Sequence, residues 1–201
     1  MVAMMVEDPV NPDDARDPDA ARIIRESLDA LPGLPGYRAE IIKGNLIVGP
    51  AGTPEHGLCA MRLFRALLPI MDRKGWEAWT GNVDVCVEGP RDQLVPDFVL
   101  APSDCPRWGP RELLSSGLIM AAEVVSAGSV RQDREDKPGL YATGSVPIYL
   151  LIDPIMKLPS LTVYSSISDG AYGEVSTVPM GKPLRLPAPV EFELDTSIFK
   201  V

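Results

Sequence analysis

Two carboxylates standing in otherwise apolar, strand-like runs constrain this chain more than any other feature. Asp97 lies in LVPDFVLAP (Leu94–Pro102) and Glu123 in LIMAAEVVS (Leu118–Ser126). Short apolar runs enriched in Val and Phe, with turn residues at their ends, read as buried β-strands. An ionised carboxylate inside such a run is costly unless it is paired, hydrogen-bonded or bound to a metal. Side chains alternate across a strand, so Val95, Asp97 and Val99 share one face, as do Ala121, Glu123 and Val125. If the two strands are neighbours, the two acids project near a common point. Paired carboxylate oxygens are hard ligands that suit Mg²⁺ or Mn²⁺ with several waters retained. Such a site polarises a phosphoryl oxygen and generates hydroxide near neutral pH. A lysine, with Lys137 downstream as the candidate, adds charge to the developing transition state and orients the attacking water.

The 201 residues suit one domain plus a tail, read as an acidic, flexible tail over 1–19 and a single domain over 20–201. No apolar run approaches the roughly 18 residues a membrane span needs. The acidic start lacks the basic region of a secretory signal, so a cytoplasmic protein is the default. Cys59, Cys86 and Cys105 are odd in number and form no CxxC pair, which argues for reduced, partly buried thiols over zinc or disulfides. The net charge of −9 warns against tight nonspecific binding to a polyanion. The warning is softened by its distribution: residues 1–29 hold eight acidic and three basic side chains, leaving 20 acidic and 16 basic elsewhere.

Ala20–Ala30 reads as a short helix with Ile23, Ile24 and Leu28 inward, and LPGLPG (Leu31–Gly36) as a breaker. YRAEIIKGNLIVGP reads as a hairpin turning at Lys43-Gly44-Asn45. Thr53-Pro54-Glu55 opens a helix, with Leu58, Met61, Leu63, Leu67 and Leu68 expected to face the core and Gly75 at the exit. Trp79–Glu88 and Gln93–Ala101 read as two strands about the turn Gly89-Pro90-Arg91-Asp92. Ser103–Gly117 reads as a loop with a helical turn at Arg111–Ser115. Leu118–Ser126 is a strand, Ser129–Thr143 a helix in which Pro138 forces a kink or a late start, and Val146–Ile152 a strand. LTVYSS, GEVSTV and VEFELD add short β segments. This order gives an α/β (α+β) domain built on one curved mixed sheet flanked by helices.

PDFVL, then EVVS, then DREDKPGLYATGSVPIYLLIDP resemble the Uma-type restriction endonucleases within the PD-(D/E)xK nuclease superfamily. The resemblance covers about Leu34 to Phe199 and is strongest over Val95–Pro154. It implies a restriction-endonuclease-like core and an endonuclease that hydrolyses DNA phosphodiester bonds with Mg or Mn. By resemblance, Asp97 and Glu123 ligate the cation, with the Val124 main-chain carbonyl as a further ligand. The superfamily places its lysine two residues after the glutamate, where this chain has Val125. The family's relocated lysine corresponds to Lys137, and Asp133, Lys137 and Tyr141, spaced by four, share a helical stripe. Glu40 and Tyr141 are supporting candidates. Double-stranded DNA is the implied partner, and a homodimer would suit double-strand cleavage.

Each of these residues has a structural alternative. Asp97 could bond loop amides, Lys137 could pair Asp133 or Asp136 at the surface, and Glu40 could face solvent. His56, the lone histidine, is either a contact to phosphate or water or a helix-capping residue, and alone it excludes a multi-histidine metal site. Arg131 and Arg134 could meet a DNA backbone or form a solvated helix face, while Trp76 and Trp79 read as packing residues. Two other functions compete: a catalytically inactive nucleic-acid- or protein-binding module on the same scaffold, and a metal-dependent hydrolase of smaller phosphoesters.

Overall fold

A computed structural model describes residues 18–33 and 35–200; all but the last two residues of the acidic 1–19 stretch lie outside them. The elements are α1 (Pro18–Asp29), β1 (Tyr37–Ile42), β2 (Asn45–Pro50), α2 (Pro54–Lys74), β3 (Trp76–Thr80), β4 (Asp84–Cys86), β5 (Gln93–Leu94), β6 (Phe98–Pro102) and β7 (Glu112–Leu114). There follow β8 (Met120–Val124), α3 (Lys137–Thr143), β9 (Ile148–Asp153), β10 (Ser160–Ser168), β11 (Ala171–Pro179), β12 (Pro183–Leu186) and β13 (Phe192–Asp195). The six-stranded sheet runs β11-β10-β9-β8-β6-β3, with β8 parallel to β9 and antiparallel to β6. A second sheet runs β2-β1-β5-β4-β7, and β12 and β13 form a separate ribbon.

The central strands of the six-stranded sheet, β6, β8 and β9, are covered on both faces. Phe98, Leu100, Met120, Ala122, Ile148 and Leu150 pack toward α2 and the β12–β13 ribbon. Val99, Ala101, Ala121, Val125, Tyr149 and Leu151 pack toward α3 and the second sheet. A sheet buried on both faces explains the near-continuous apolar runs of β8 and β9. No described helix is long and apolar enough to cross a membrane.

The β1–β2 hairpin closes through Lys43 and Gly44, both at positive φ (52° and 72°), the geometry of a two-residue I′ turn; Asn45 already begins β2. Helix α2 starts after Thr53 and ends at Gly75, whose left-handed φ of 69° terminates it. Its inward stripe differs from the expected one: His56, Cys59, Ala60, Leu63, Leu67, Ile70 and Met71 are buried. Leu58, Met61 and Leu68 face outward, because a 3.6-residue period that places Leu63 and Leu67 inside turns those three away. On α1, Ile24 and Leu28 are half-buried but Ile23 is 55% exposed.

The two long strands expected over 79–88 and 93–101 are each broken, and each changes sheets. Gly81 and Asn82, at φ 61° and 51°, pass the chain from β3 in the large sheet to β4 in the small one. Pro96, which has no N–H to give a ladder, separates β5 from β6 in the reverse sense. The expected helical turn at Arg111–Ser115 is instead β7, paired parallel to β4, followed by a 3₁₀ turn at Ser115–Gly117. The helix expected over 129–143 contains a π turn at Gln132–Asp136, in which the Lys137 N–H donates to Gln132 O; regular α3 then begins one residue before Pro138. The widened turn accommodates the proline, and the result combines the kink and the late start.

Candidate functional site

The ladder between β6 and β8 pairs Phe98 with Ala122 and Val99 with Ala121, so one step further Asp97 stands opposite Glu123. Directly opposed residues on antiparallel strands project to the same face. Both are buried, Asp97 7% exposed and Glu123 fully enclosed. Asp97 lies just before β6, at the Pro96 break, and the hydrogen bonds it accepts reflect that position. Its Oδ2 accepts the Val124 N–H at 2.8 Å, and its Oδ1 accepts from Arg38 at 3.2 Å. His56 Nδ1, from the first turn of α2, lies 3.5 Å from Oδ2, a close electrostatic contact that falls short of a well-formed hydrogen bond. Burial would raise the Asp97 carboxyl, but His56, Arg38 and the Val124 amide outweigh it and hold the group below the usual carboxylate range.

Strand β1 supplies Arg38 and Glu40, which alternate and so share a face. Arg38 also donates to Val95 O at 3.1 Å, and the Val95 N–H donates to Glu40 Oε1 at 2.8 Å. Both residues thereby clamp the peptide leading into Asp97. Burial opposes the Arg38 charge, yet the fields of Glu123, Glu40, Asp97 and Asp133 outweigh it and hold the guanidinium protonated above its ordinary range.

Lys137 comes from the start of α3 and is 1% exposed. Its ammonium donates to Glu123 Oε1 at 2.8 Å and lies 3.1 Å from Asp133 Oδ1 and 3.3 Å from Glu40 Oε1. A surface role for Lys137 is thus excluded. Burial works against its charge, but Glu123, Glu40 and Asp133 more than compensate and keep it protonated. One turn further on, Tyr141 donates its hydroxyl to the same Glu123 Oε1 at 3.0 Å, and its ring stacks on Tyr149 at a centroid distance of 5.0 Å. Tyr149 in turn donates to Asp133 O at 2.8 Å, fixing the π turn against β9.

Glu123 Oε2 and the two side-chain oxygens of Asp133 are buried without a formed hydrogen bond, Asp133 Oδ1 being held only by its ion pair with Lys137. Counting Arg38 and Lys137 against Glu40, Asp97, Glu123 and Asp133, the enclosed cluster carries −2 when all are ionised. Burial, with Asp133 and Asp97 adding and Lys137 opposing, pushes the Glu123 carboxyl up to about 8. These observations fit a divalent cation between Asp97 and Glu123: an orphaned carboxylate oxygen, hard oxygen donors and a net negative charge. Among the described residues no three His, Cys, Asp or Glu side chains are already arranged as a metal cage.

The structure brings together Asp97, Glu123, Lys137, Glu40, Tyr141 and His56. It adds Arg38 and Asp133, which sequence reasoning left outside the site. Arg38 was signalled by its alternation with Glu40, and Asp133 by its spacing of four from Lys137. Arg134 is paired with Asp153 at 2.7 Å, whereas the mostly exposed Arg131 and Lys43 share Asp136 at the rim, at 3.6 and 2.5 Å. All three cysteines are buried and free.

The buried acid pair between two sheets, with a lysine delivered by a helix, sits in a fold that also occurs in a solved structure. That crystal structure, described as a putative nuclease belonging to DUF820 from Anabaena variabilis ATCC 29413, is similar over 88% of this chain and 96% of its own. The TM-score is 0.65 at 16% identity, and the shared architecture is the restriction-endonuclease-like fold. Residues 25–197 match the Uma2 family model, described as "Putative restriction endonuclease", and the chain belongs to that family. Among curated proteins none matches.

Proposed function

We propose that this protein is an endonuclease that hydrolyses DNA phosphodiester bonds with Mg²⁺ or Mn²⁺. The observation that carries the reading is the convergence of Asp97, Glu123 and Lys137, which restores the acid–acid–lysine trio of the superfamily even though Val125 occupies the usual lysine position. Asp97 and Glu123 would hold the cation, with the Val124 carbonyl as a third oxygen donor. When bound, the cation polarises the scissile phosphate and lowers the pKa of a coordinated water.

This chain's own groups do the rest. Lys137, kept charged by its carboxylate neighbours, supplies positive charge to the phosphate oxygens as they gain negative charge. Tyr141 and Lys137 both fix Glu123 Oε1, which leaves Oε2 without a hydrogen bond and available to hold the cation. Arg38 and the Val124 amide orient Asp97 in the same way. Exposed Lys43 and Arg131, both paired with Asp136, would meet a phosphate backbone, each adding salt-dependent affinity for DNA.

The test is nicking of supercoiled plasmid by the purified protein with Mn²⁺, Mg²⁺ or EDTA. Metal-dependent nicking that disappears in Asp97→Asn and Glu123→Gln is expected. Equal nicking by those variants would overturn the assignment. DNA binding with no cleavage under any metal would favour a binding module on the nuclease scaffold, and hydrolysis confined to small phosphoesters would favour the smaller-substrate hydrolase.

A further inference from the structure

We propose that the loop between β9 and β10 is a wedge that enters the stacked bases beside the scissile phosphate and kinks the DNA. The inference rests on the nuclease reading and names how the same site grips its substrate. Ile155, Met156 and Leu158 are 48%, 46% and 63% exposed. Single exposed apolar residues need no explanation, but three within four positions form a patch that does. Pro154 and Pro159 bracket them, each fixing its own φ. Both ends of the loop are pinned: Asp153 accepts from Arg134 at 2.7 Å, and Pro159 O accepts the Met180 N–H at 2.8 Å. The apolar side chains are thus held out on a braced turn.

The loop's place in the fold points to its partner. Strands β8 and β9 are parallel, with Glu123 beside Leu151 and Val124 beside Ile152. The loop therefore leaves the sheet at the end where Asp97 and Glu123 stand. Neighbouring strands lie about 4.8 Å apart, so the loop starts one strand over from Glu123, close enough to reach the nucleotides flanking a phosphate held there. Arg134, which holds Asp153, belongs to the π turn that carries Asp133, so the loop and the site share a support. Exposed Lys157 lies among the apolar residues, and Arg131, 70% exposed, follows β8 at the same end. Cations flanking protruding apolar side chains suit DNA: the cations meet phosphates, while Ile, Met and Leu are residue types that insert between base steps. A second copy of the chain fits this loop less well, because a stable interface buries about 800 Å² per partner, far more than three side chains supply.

End-to-end FRET on a short duplex, with Ca²⁺ replacing Mg²⁺ to hold off cleavage, reads the kink, and 2-aminopurine spaced along the same duplex reads unstacking. At saturating protein, wild type should raise both signals, the FRET change corresponding to a kink of roughly 20–90°. Ile155→Ser/Leu158→Ser alters exposed side chains only, so its thermal midpoint should match wild type while both rises disappear. Should that variant fail to fold or to bind, Leu158→Ala, which trims one exposed side chain, is read in the same way and should reduce both rises. Lys157→Gln should keep the kink and lower the salt dependence of binding. Full signals in the loop variants, or DNA bound by wild type with neither signal, would overturn the wedge and leave the nuclease reading standing. A wild-type dimer that the loop variant dissolves, with DNA distortion unchanged, would overturn it in favour of a contact between copies. Failure of wild type to bind DNA at all would overturn the wedge together with the nuclease reading.

Discussion

Lys137 reaches Glu123 from a different element and from fourteen residues away, and its ammonium still lies 2.8 Å from Oε1. A lysine two residues after the glutamate would share its strand face automatically; here the same contact depends on where α3 begins. The π turn ahead of Pro138 sets that starting point, so the backbone irregularity and the site geometry are one feature. Its energetic consequences are open to direct measurement.

Removing the Tyr141 hydroxyl should weaken the site without dismantling it. Tyr141→Phe keeps the ring stacked on Tyr149 and deletes one donor to Glu123 Oε1. Groups that orient metal-bound carboxylates typically contribute about 10–100-fold in metal affinity or activity. Mn²⁺ titration and nicking rates should fall within that range while the circular dichroism spectrum is unchanged. A variant with wild-type metal affinity would show that Tyr141 only packs.

Glu123 gives the metal-free protein a pH dependence of definite sign. Its carboxyl is pushed up to about 8 in the folded state, against 4.5 ordinarily. Between those values the folded chain holds a proton that the unfolded chain has lost, so stability falls as pH rises through this window. The limiting slope for one proton is about 1.4 kcal/mol per pH unit. Asp97, held low, loses its stabilising contribution only below this window, and Lys137, held high, loses its own only above it. Urea midpoints in EDTA should therefore be lower at pH 8 than at pH 5, and Glu123→Gln should flatten the trend. A wild-type midpoint that rises over the same interval would contradict the burial of Glu123.

Helix α2 separates two leucines that a sequence reading treats alike. Leu63 is fully buried in the core against the large sheet, while Leu58 is 44% exposed. Leu63→Ala should cost about 2–5 kcal/mol, whereas Leu58→Ala should fall within about 0.5 kcal/mol of wild type. Chemical denaturation of the two variants settles the facing of the helix, and equal losses would contradict it.

The pattern of success in reading the sequence has a physical basis. The β1–β2 turn, the α2 boundaries and the β8 and β9 strands were legible because each rests on local chemistry: Lys43-Gly44 at positive φ, Thr53-Pro54 and Gly75 at helix ends, and sustained apolar runs. The placement of Asp97, Glu123 and Lys137 was legible from the cost of burying charge together with the family resemblance. The sheet changes at Gly81-Asn82 and Pro96 were not, because apolar periodicity does not state which sheet a residue joins. The α2 stripe was misread because apolar residues occur on more than one side of that helix, and only packing selects the buried set. Arg38 escaped notice, and Asp133 was read only as a stripe neighbour or surface partner of Lys137, because an arginine on a strand and an aspartate on a charged helix ordinarily face solvent; long-range contacts bury them.

Anomalous diffraction from crystals soaked in Mn²⁺ addresses the shared cation most directly. The account predicts one peak between Asp97 and Glu123, with a carboxylate oxygen of each at roughly 2.1 Å, the range for hard octahedral cations, and with Lys137 still bonded to Glu123. Absence of a peak at saturating Mn²⁺, or a peak that touches only one of the two acids, would contradict it.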